Sequence, residues 1–206
     1  VRISVIGGVT PVGLCGSALV DVVAELLRSG VLVREGLLLQ ADQVPDSTPE
    51  TIRSRIIAHN DSVAFVLARA DETGTGSPVL LTQKDIRELQ LATAAIRAGV
   101  TILLRRVGLE VTDVAHFLIA GGFGNFIRRS NAQRIGLLPA GVERRRISFV
   151  GNTSLAGARL AAASQKVRQR AEAVARQIQH VDLSMDPDFY TAYVEGMFFP
   201  EPAEAS

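Results

Sequence analysis

The sequence predicts an α/β domain in which helices flank a largely parallel sheet, and three observations support this prediction. Short apolar runs typical of strands alternate with longer segments of helical periodicity along most of the chain. Glycines and prolines stand at the boundaries between these segments, where turns are expected. The chain has 206 residues, of which 47% are hydrophobic and 21% charged, enough for a globular core. We therefore expect one globular domain or two small lobes.

The first part of the chain predicts a strand, a helix and an irregular segment. Residues 1–6, "VRISVI", have the composition of a short strand and lead into a turn rich in glycine and proline. The apolar spacing that follows predicts a helix from Gly16 to Arg28, with Ser17 as its N-cap and Gly30 as its end. Residues 32–61 mix proline, serine, threonine and charge, so we expect a mobile surface excursion with at most a short helix.

A hairpin and a long helix are predicted next. The segments "SVAFVLAR" and "VLLT" have strand composition and are joined by the turn "ADETGTGSP". Thr82, followed three residues later by Asp85, is typical of a capping box at a helix start, and Gly108 marks the end of that helix. We expect this helix to lie on the sheet through apolar residues at helical spacing, which are Ile86, Leu89, Ile96, Val100, Leu103 and Val107.

The second half of the chain continues the alternation of strands and helices. Such alternation favours a layered domain with parallel strands, because each helix carries the chain back to the same end of the sheet. The predicted elements are strands over residues 111–120, 145–151 and 180–184, and helices over residues 153–164, 165–179 and 187–196.

Composition excludes several classes of function. The net charge of +1 gives no field that would attract nucleic acid or an anionic membrane. Cys15 is the single cysteine, so the chain forms no internal disulfide and no thiolate metal site, and the three histidines stand far apart. No apolar run is long enough to span a membrane and no signal peptide is visible, which indicates a cytoplasmic protein.

The stretch "HFLIAGGFGNFI", residues 116–127, is the first candidate binding feature. A strand that ends in Gly121 and Gly122 brings bare backbone to the edge where open α/β sheets bind ligands. A tight strand-to-helix turn, with glycines required for packing, would explain the same residues equally well. Neither the dinucleotide fingerprint nor a phosphate-binding glycine loop occurs in the chain.

Two further turns have weaker signals. Gly16 and Ser17 stand at a helix start, where an anion could bind, although a simple N-cap at Ser17 is the favoured explanation. Asn152 and Thr153 stand between a strand and a helix whose small residues, 156–158, indicate close helix packing or a hinge. No nucleophile, base and orienting acid occur together in a recognisable context, so no catalytic residue is predicted.

The order of these motifs resembles two nested groups of proteins. A strand ending in Gly-Gly, then a further strand and a helix of small residues, resembles the second half of the superfamily of acetate kinase, sugar kinases, heat-shock chaperones and actin. Six motifs between residues 11 and 200 resemble, more closely, the C-terminal region of the reductive activators of corrinoid proteins. They are "PVGLCGSALVDVVAELLRSG", "LTQKDIRELQLATAAIRAG", "IAGGFGNFI", "IGLLP", "FVGNTSLAGARLA" and "DLSMDPDFYTAYVEGMFFP".

This resemblance implies an actin-like, RNase H-like ATPase subdomain covering residues 1–206. Members of the family combine a two-iron ferredoxin domain with an ATP-binding region and use ATP to return a Co(II) corrinoid to Co(I). ATP or ADP with magnesium is therefore the implied cofactor of the longer protein. A corrinoid protein or a corrinoid-dependent methyltransferase is the implied partner, and a homodimer is a further expectation.

The resemblance also assigns the candidate site residues. In the superfamily the Gly-Gly turn is the adenosine motif, and the helix of small residues lies at the hinge between two lobes. The implied nucleotide-binding residues are Gly121, Gly122 and Phe123 around the adenine and ribose, Gln90 on the long helix as the facing wall, Asn152 and Thr153 near the hinge, and, more weakly, Gly16 and Ser17.

Four features of the sequence limit what this chain is expected to do alone. It lacks the four cysteines of a ferredoxin domain and the Asp-Gly-Thr loops that bind the phosphates and magnesium, and it starts at Val1 without an initiator methionine. Thr93 also stands where the family usually has a lysine. We therefore expect a piece of a longer protein that is inactive in redox chemistry by itself. The alternative is a dimerisation or partner-docking module that binds no nucleotide.

Overall fold

The computed structural model describes residues 3–122 and 126–201, which form seven helices and five strands together with short 3₁₀ turns. The helices are α1 (Gly16–Arg28), α2 (Glu50–Arg53), α3 (Gln83–Val107), α4 (Arg129–Arg134), α5 (Thr153–Ala163), α6 (Gln165–Ala175) and α7 (Phe189–Gly196). The strands are β1 (Ile56–His59), β2 (Ser62–Ala68), β3 (Val79–Thr82), β4 (Phe117–Ala120) and β5 (Ile147–Gly151).

The described strands form two separate sheets. An antiparallel sheet has the strand order β1-β2-β3, and β4 pairs with β5 in parallel. The α/β class is confirmed, and so is the hairpin expected between β2 and β3. The parallel arrangement holds for β4 and β5, whereas β1, in a segment where no strand was expected, adds a third antiparallel strand to the hairpin. Asn60 and Asp61 both have left-handed backbone angles, with φ of 46° and 58°. A two-residue turn of this kind returns the chain antiparallel, so β1 and β2 form a hairpin.

The segment over residues 32–61 contains the short helix that was allowed for it, but it contributes to the core and is not confined to the surface. It supplies β1 and α2, and the Gln83 side chain holds it against α3. The Gln83 amide accepts a hydrogen bond from the Leu38 N–H at 3.0 Å and donates one to the Gly36 carbonyl at 2.5 Å. Four apolar residues of the segment are buried, which are Leu32, Leu38, Val44 and Ile56.

Helix α1 confirms the predicted bounds and packs against α4 and α3. Its buried residues join a cluster that includes Phe65 of β2, Leu81 of β3 and Ile86 of α3. Burial of such side chains is the main stabilising term of the fold, at about 1.5–3 kcal/mol for each large aliphatic residue. The buried residues of α1 are Val20, Val23, Ala24 and Leu26.

Helix α3 begins and ends as predicted. The Thr82 Oγ accepts the Asp85 N–H at 3.2 Å, and the Asp85 carboxylate accepts the Thr82 N–H at 2.8 Å, which completes a capping box. Gly108 closes the helix in the left-handed conformation, with φ of 66°. Local sequence signals at both ends were therefore sufficient to predict this helix.

The apolar face predicted for α3 is only partly buried. Ile86 and Leu89 pack into the core, but Ile96 and Leu103 are each 47% exposed and Val107 is 65% exposed. The C-terminal half of α3 packs against α7 and not against a sheet. The expectation that the whole apolar face of α3 lies on a sheet is therefore wrong beyond the first turns.

The chain after α7 is fixed by arginines from two other segments. Arg97 of α3 donates to the carbonyls of Gly196 and Phe198 at 2.9 and 2.7 Å, and Arg34 donates to the Phe199 carbonyl at 3.0 Å. Phe199 itself is 1% exposed. Burial, with the Arg34 charge nearby, lowers the pKa of Arg97. Phe199 is therefore part of the core.

Several shorter predictions also need correction. Residues 3–5 form no strand, because the chain turns at Gly7 and Gly8, both with positive φ, in a 3₁₀ turn over Ile6–Gly8. The strand expected over 111–120 is reduced to Phe117–Ala120, since Val111–Asp113 form a 3₁₀ turn. The strand expected over 180–184 is absent. The Asp182 carboxylate there accepts the Ser184 N–H at 3.0 Å, and such local bonds favour turns over strands.

Helices α5 and α6 form a hairpin on the surface. The helix expected over 165–179 ends at Ala175, and in neither helix of the hairpin is any described side chain fully buried. None of the described helices has the length and apolar character that crossing a membrane requires. The exposed large apolar residues of the hairpin and the turn after it are Leu155, Leu160, Val167, Val174 and Ile178.

Candidate functional site

The parallel pair β4 and β5 brings two glycine turns to one edge. Phe117 pairs with Ile147, and the register runs to Ala120 opposite Gly151, with an irregularity before the last pair. Because the strands are parallel, both carboxyl ends lie at the same edge of the sheet. The Gly121 N–H donates a hydrogen bond of 2.7 Å to the Gly151 carbonyl, which joins the two turns directly.

The backbone requires glycine at some positions of these turns and not at others. Gly121 has φ of 106° and Gly151 has φ of 70°, conformations that side chains of L-residues rarely adopt. Gly122 has no positive φ, so the backbone does not require glycine there. Among the described residues, no atom lies within 4 Å of a Cβ built at any of the three. Packing against described residues therefore does not account for Gly122.

Asn152 and Thr153 lie beside the two turns. Asn152 follows Gly151 and is the N-cap of α5, where its Oδ1 accepts the Leu155 N–H at 3.0 Å. Thr153 is the first residue of α5 and is exposed. The β4–β5 pairing thus brings four of the candidate residues, Gly121, Gly122, Asn152 and Thr153, to one edge.

Residue Phe123, the third residue expected around the adenine and ribose, lies outside the described residues.

Two features near the parallel pair were not predicted from the sequence. The first is the hydrogen bond between Gly151 and Gly121. The sequence offered one signal for this contact, which is that both strands end in glycine. The Arg129 guanidinium lies over the Phe149 ring, 5.3 Å from its centroid, in a cation–π contact that no local pattern indicates.

Gln90 has a different position from the one expected. Its side chain is 2% exposed, and its amide nitrogen donates to the Glu35 carbonyl at 3.0 Å and to the Met197 carbonyl at 2.8 Å. This placement corrects the expectation that Gln90 is an open wall facing the glycine turn. The amide instead connects α3 with residues on either side of it, and a buried polar group needs such partners.

Gly16 and Ser17 belong to a different part of the surface. The N-cap of α1 is Cys15, which corrects the expectation that Ser17 caps the helix. The Ser17 hydroxyl lies 3.4 Å from the Cys15 sulfur, and this hydrogen bond, with the Ala18 N–H, lowers the pKa of the Cys15 thiol. A hollow of about 150 Å³ beside them is lined by Leu80 and Asp85, among others. No described hydrogen bond joins this region to the Gly121 turn.

The groups that the described residues present at the glycine edge are suited to binding a ligand. Within residues 3–122 and 126–201, no three His, Cys, Asp or Glu side chains converge in a metal-ligating cluster. The turns offer backbone groups and an uncovered surface, which suit a flat ring system better than a reactive centre.

Comparison with protein families decides which kind of protein this is. Residues 1–205 match the model of the family described as the C-terminal domain of RACo, the ASKHA domain. The chain belongs to this family. ASKHA denotes the acetate kinase, sugar kinase, heat-shock chaperone and actin superfamily, so the resemblance inferred from the sequence is confirmed.

Relatives of this RACo C-terminal domain include proteins named for corrinoid chemistry. The chain is 36% identical over 196 residues to the corrinoid activation enzyme RamQ of Eubacterium limosum, a match that covers 95% of this chain and 32% of RamQ. It is 34% identical over 84 residues to the [Co(II) methylated amine-specific corrinoid protein] reductase of Methanosarcina barkeri, covering 41% of this chain and 15% of the reductase.

A solved structure supports the same assignment. The reductive activator for corrinoid, iron-sulfur protein matches with a TM-score of 0.84 and 37% identity, covering 95% of this chain and 30% of that protein. The ASKHA fold of the RACo C-terminal domain is therefore present here. The chain spans about a third of the length of RamQ and of this activator.

Proposed function

We propose that this chain is the adenosine-binding part of an ATP-dependent activator that returns a corrinoid protein from Co(II) to Co(I). The observation that carries the proposal is the joined pair of turns, in which the Gly121 N–H bonds to the Gly151 carbonyl and no atom of the described residues lies over Gly122. An adenine ring can lie against bare backbone at such a place, because no side chain keeps it away.

The ribose would lie toward the start of α5. Asn152 and Thr153 follow Gly151 directly, and the Asn152 side chain fixes the first turn of the helix. Free N–H groups at this helix start would favour the negative end of a nucleotide. Most phosphate contacts, and the ligands of magnesium, would come from a part of the longer protein that these 206 residues do not contain.

The electron carrier of the proposed reaction would also lie elsewhere. A two-iron cluster bound by cysteines needs four of them, and these 206 residues contain one. The role of this chain is therefore conformational. ATP can favour one arrangement of the activator only to the extent that it binds that arrangement more tightly than the other. The cytoplasmic location expected from the sequence stays a prediction.

The proposed partner is a corrinoid protein or a corrinoid-dependent methyltransferase. Both named relatives, and the solved activator, are described by their action on corrinoid proteins. Because the chain covers only part of each, the surface that meets the partner is not assigned to these residues.

Association is a second candidate function, and the α5–α6 hairpin favours it. A surface helix normally buries one apolar face, yet α5 and α6 bury no described side chain fully, and Leu155, Leu160 and Val174 are more than half exposed. Another protein surface, or a second copy of the chain, would cover this face. Dimerisation stays a prediction.

Calorimetric titration of the chain with magnesium-ATP, combined with sedimentation, separates the two candidates. The nucleotide-binding proposal expects saturable heat that AMP-PNP reproduces and GTP does not. The association candidate expects a concentration-dependent dimer whose equilibrium is the same with and without nucleotide. Absence of binding, both to the chain and to the longer protein that contains it, would refute the proposed function.

A further inference from the structure

A groove beside strand β1 is separate from the glycine turns. It has a volume of about 720 Å³ and is lined on one side by residues 56–63 and on the other by Gln40, Ala41 and Asp42. Strand β1 pairs only with β2 among the described strands, so its other edge is unpaired, and the residues of β1 line this groove.

The hydrogen-bonding pattern identifies which backbone groups face the groove. The Val66 N–H donates to the Arg55 carbonyl at 2.8 Å, and the β1–β2 register continues this pairing as Ile57 with Ala64. Residues of an antiparallel pair alternate between bonded and non-bonded positions. The N–H and C=O groups of Ile56 and Ala58 therefore point away from β2. No described group forms a hydrogen bond with them.

These free groups form a short template for another strand. Two residues of a strand span about 6.8 Å, so Ile56 and Ala58 offer two donor–acceptor pairs at the spacing that an extended peptide presents. Natural proteins usually keep such edges short or cover them. Here the edge is short, but the groove next to it leaves room for an added chain.

The charge of the groove identifies the kind of chain that fits. Asp42 and Asp61 are its only charged lining residues apart from His59, and both are exposed without a described ion pair. A second copy of this chain, paired through β1, would bring four carboxylates together and be repelled. A strand with lysine or arginine side chains would instead be attracted.

We propose that the β1 groove binds an extended basic segment of another protein by strand addition to Ile56 and Ala58. Ile57, which is partly exposed, would contact an apolar side chain of the added strand, and Asp42 and Asp61 would face its basic side chains. This inference does not depend on nucleotide binding, because the groove shares no lining residue with the glycine turns.

The test uses two capped hexapeptides, Ac-VKVKVK-NH2 and Ac-VEVEVE-NH2, titrated into the isotope-labelled chain at low salt. The basic peptide should shift the amide signals of Ile56 and Ala58 and slow their hydrogen exchange. Salt at 0.5 M should weaken the binding of this peptide. The acidic peptide should leave them unchanged. Equal effects of both peptides, or no change in either titration, would overturn the proposal.

Matched variants then separate charge from backbone pairing. Asp42→Asn with Asp61→Asn keeps the shape of the groove and should weaken binding of the basic peptide about fivefold at low salt. Asn is tolerated at the positive φ of Asp61. The control, Asp46→Asn with Asp71→Asn, changes two exposed carboxylates outside the groove and should leave affinity unchanged. Equal weakening by both pairs would refute a site in the groove.

A third variant tests the strand addition itself. Ala58→Pro removes one outward N–H, and proline is compatible with the open side of an edge strand. Its affinity for the basic peptide should fall at least threefold if the backbone pairs as proposed, with an unfolding midpoint close to that of the unmodified chain. Unchanged affinity in the folded variant would contradict strand addition, and peptide-independent broadening of the β1 signals would indicate self-association instead.

Discussion

Replacing Gly122 with valine tests the proposed nucleotide site with little disturbance of the fold. The backbone at Gly122 has no positive φ, and no described atom lies within 4 Å of an added Cβ. A substitution at a site without strain or crowding usually changes the free energy of unfolding by less than about 1 kcal/mol. The loss of unfolded-state freedom even favours the variant by about 0.4–1 kcal/mol.

The effect of this substitution on nucleotide affinity should be much larger. A ring in van der Waals contact with the Gly122 backbone lies about 3.5–4.0 Å from it, and the valine side chain fills that interval. Adenine would have to move away from the turn and lose its contacts with the backbone. We expect affinity for magnesium-ATP to fall at least tenfold, which corresponds to about 1.4 kcal/mol.

Two further glycines supply controls for this experiment. Gly157→Val adds the same side chain on α5, where Gly157 also has open space and no positive φ, and should leave affinity unchanged. Gly121→Ala should instead reduce stability by about 1–3 kcal/mol, since a residue other than glycine is strained at φ of 106°. Affinity is measured by calorimetry and stability by urea unfolding. A folded Gly122→Val protein that binds magnesium-ATP normally would remove this turn from the site.

Two other predictions concern the fold. Gln90→Ala should lower the free energy of unfolding by about 2–4 kcal/mol, because two backbone carbonyls lose their buried amide donor. Urea unfolding measures this free energy. A loss no greater than that caused by Gln169→Ala, at an exposed position, would contradict the prediction. The hydrogen bond from Arg106 lowers the pKa of Asp186 below its ordinary value of 3.8. The Asp186 carboxylate therefore makes its full contribution to stability at pH values above the ordinary pKa. That contribution is lost as pH falls through the lowered pKa of the folded state. Asp186→Asn should flatten the acid limb of the unfolding midpoint against pH, and an unchanged slope would argue against this ion pair.

Elements with local signals could be predicted from the sequence. The capping box of Thr82 and Asp85 and the left-handed Gly108 lie within a few residues of the helix they bound, so α3 was predictable. The hairpin between β1 and β2 also had a signal, because Asn60 and Asp61 follow a short apolar run and suit a two-residue turn. That signal was missed because residues 32–61 were interpreted from average composition.

Contacts between distant residues were not predictable in the same way. Gln90 is a polar residue on a helix, a pattern that usually indicates an exposed face, but its partners stand 55 and 107 residues away. The bond between Gly121 and Gly151 likewise depends on the register of two strands. The sequence could identify both glycines as turn residues, whereas their direct contact required the structure.

The distribution of the proposed site between this chain and the rest of the activator has a measurable consequence. If these residues hold only adenosine, they contact none of the atoms that distinguish ATP from ADP. The chain should then bind both nucleotides with affinities within about threefold of each other, a difference of less than about 0.7 kcal/mol. A ligand shifts a conformational equilibrium only by its differential affinity, so the free energy that ATP hydrolysis supplies would act through phosphate contacts outside this chain.

Calorimetric titrations with ADP and with a non-hydrolysable ATP analogue measure the ratio of the two affinities directly. A preference of tenfold or more for the triphosphate would show instead that residues of this chain, with the start of α5 as the first candidate, read the γ-phosphate themselves.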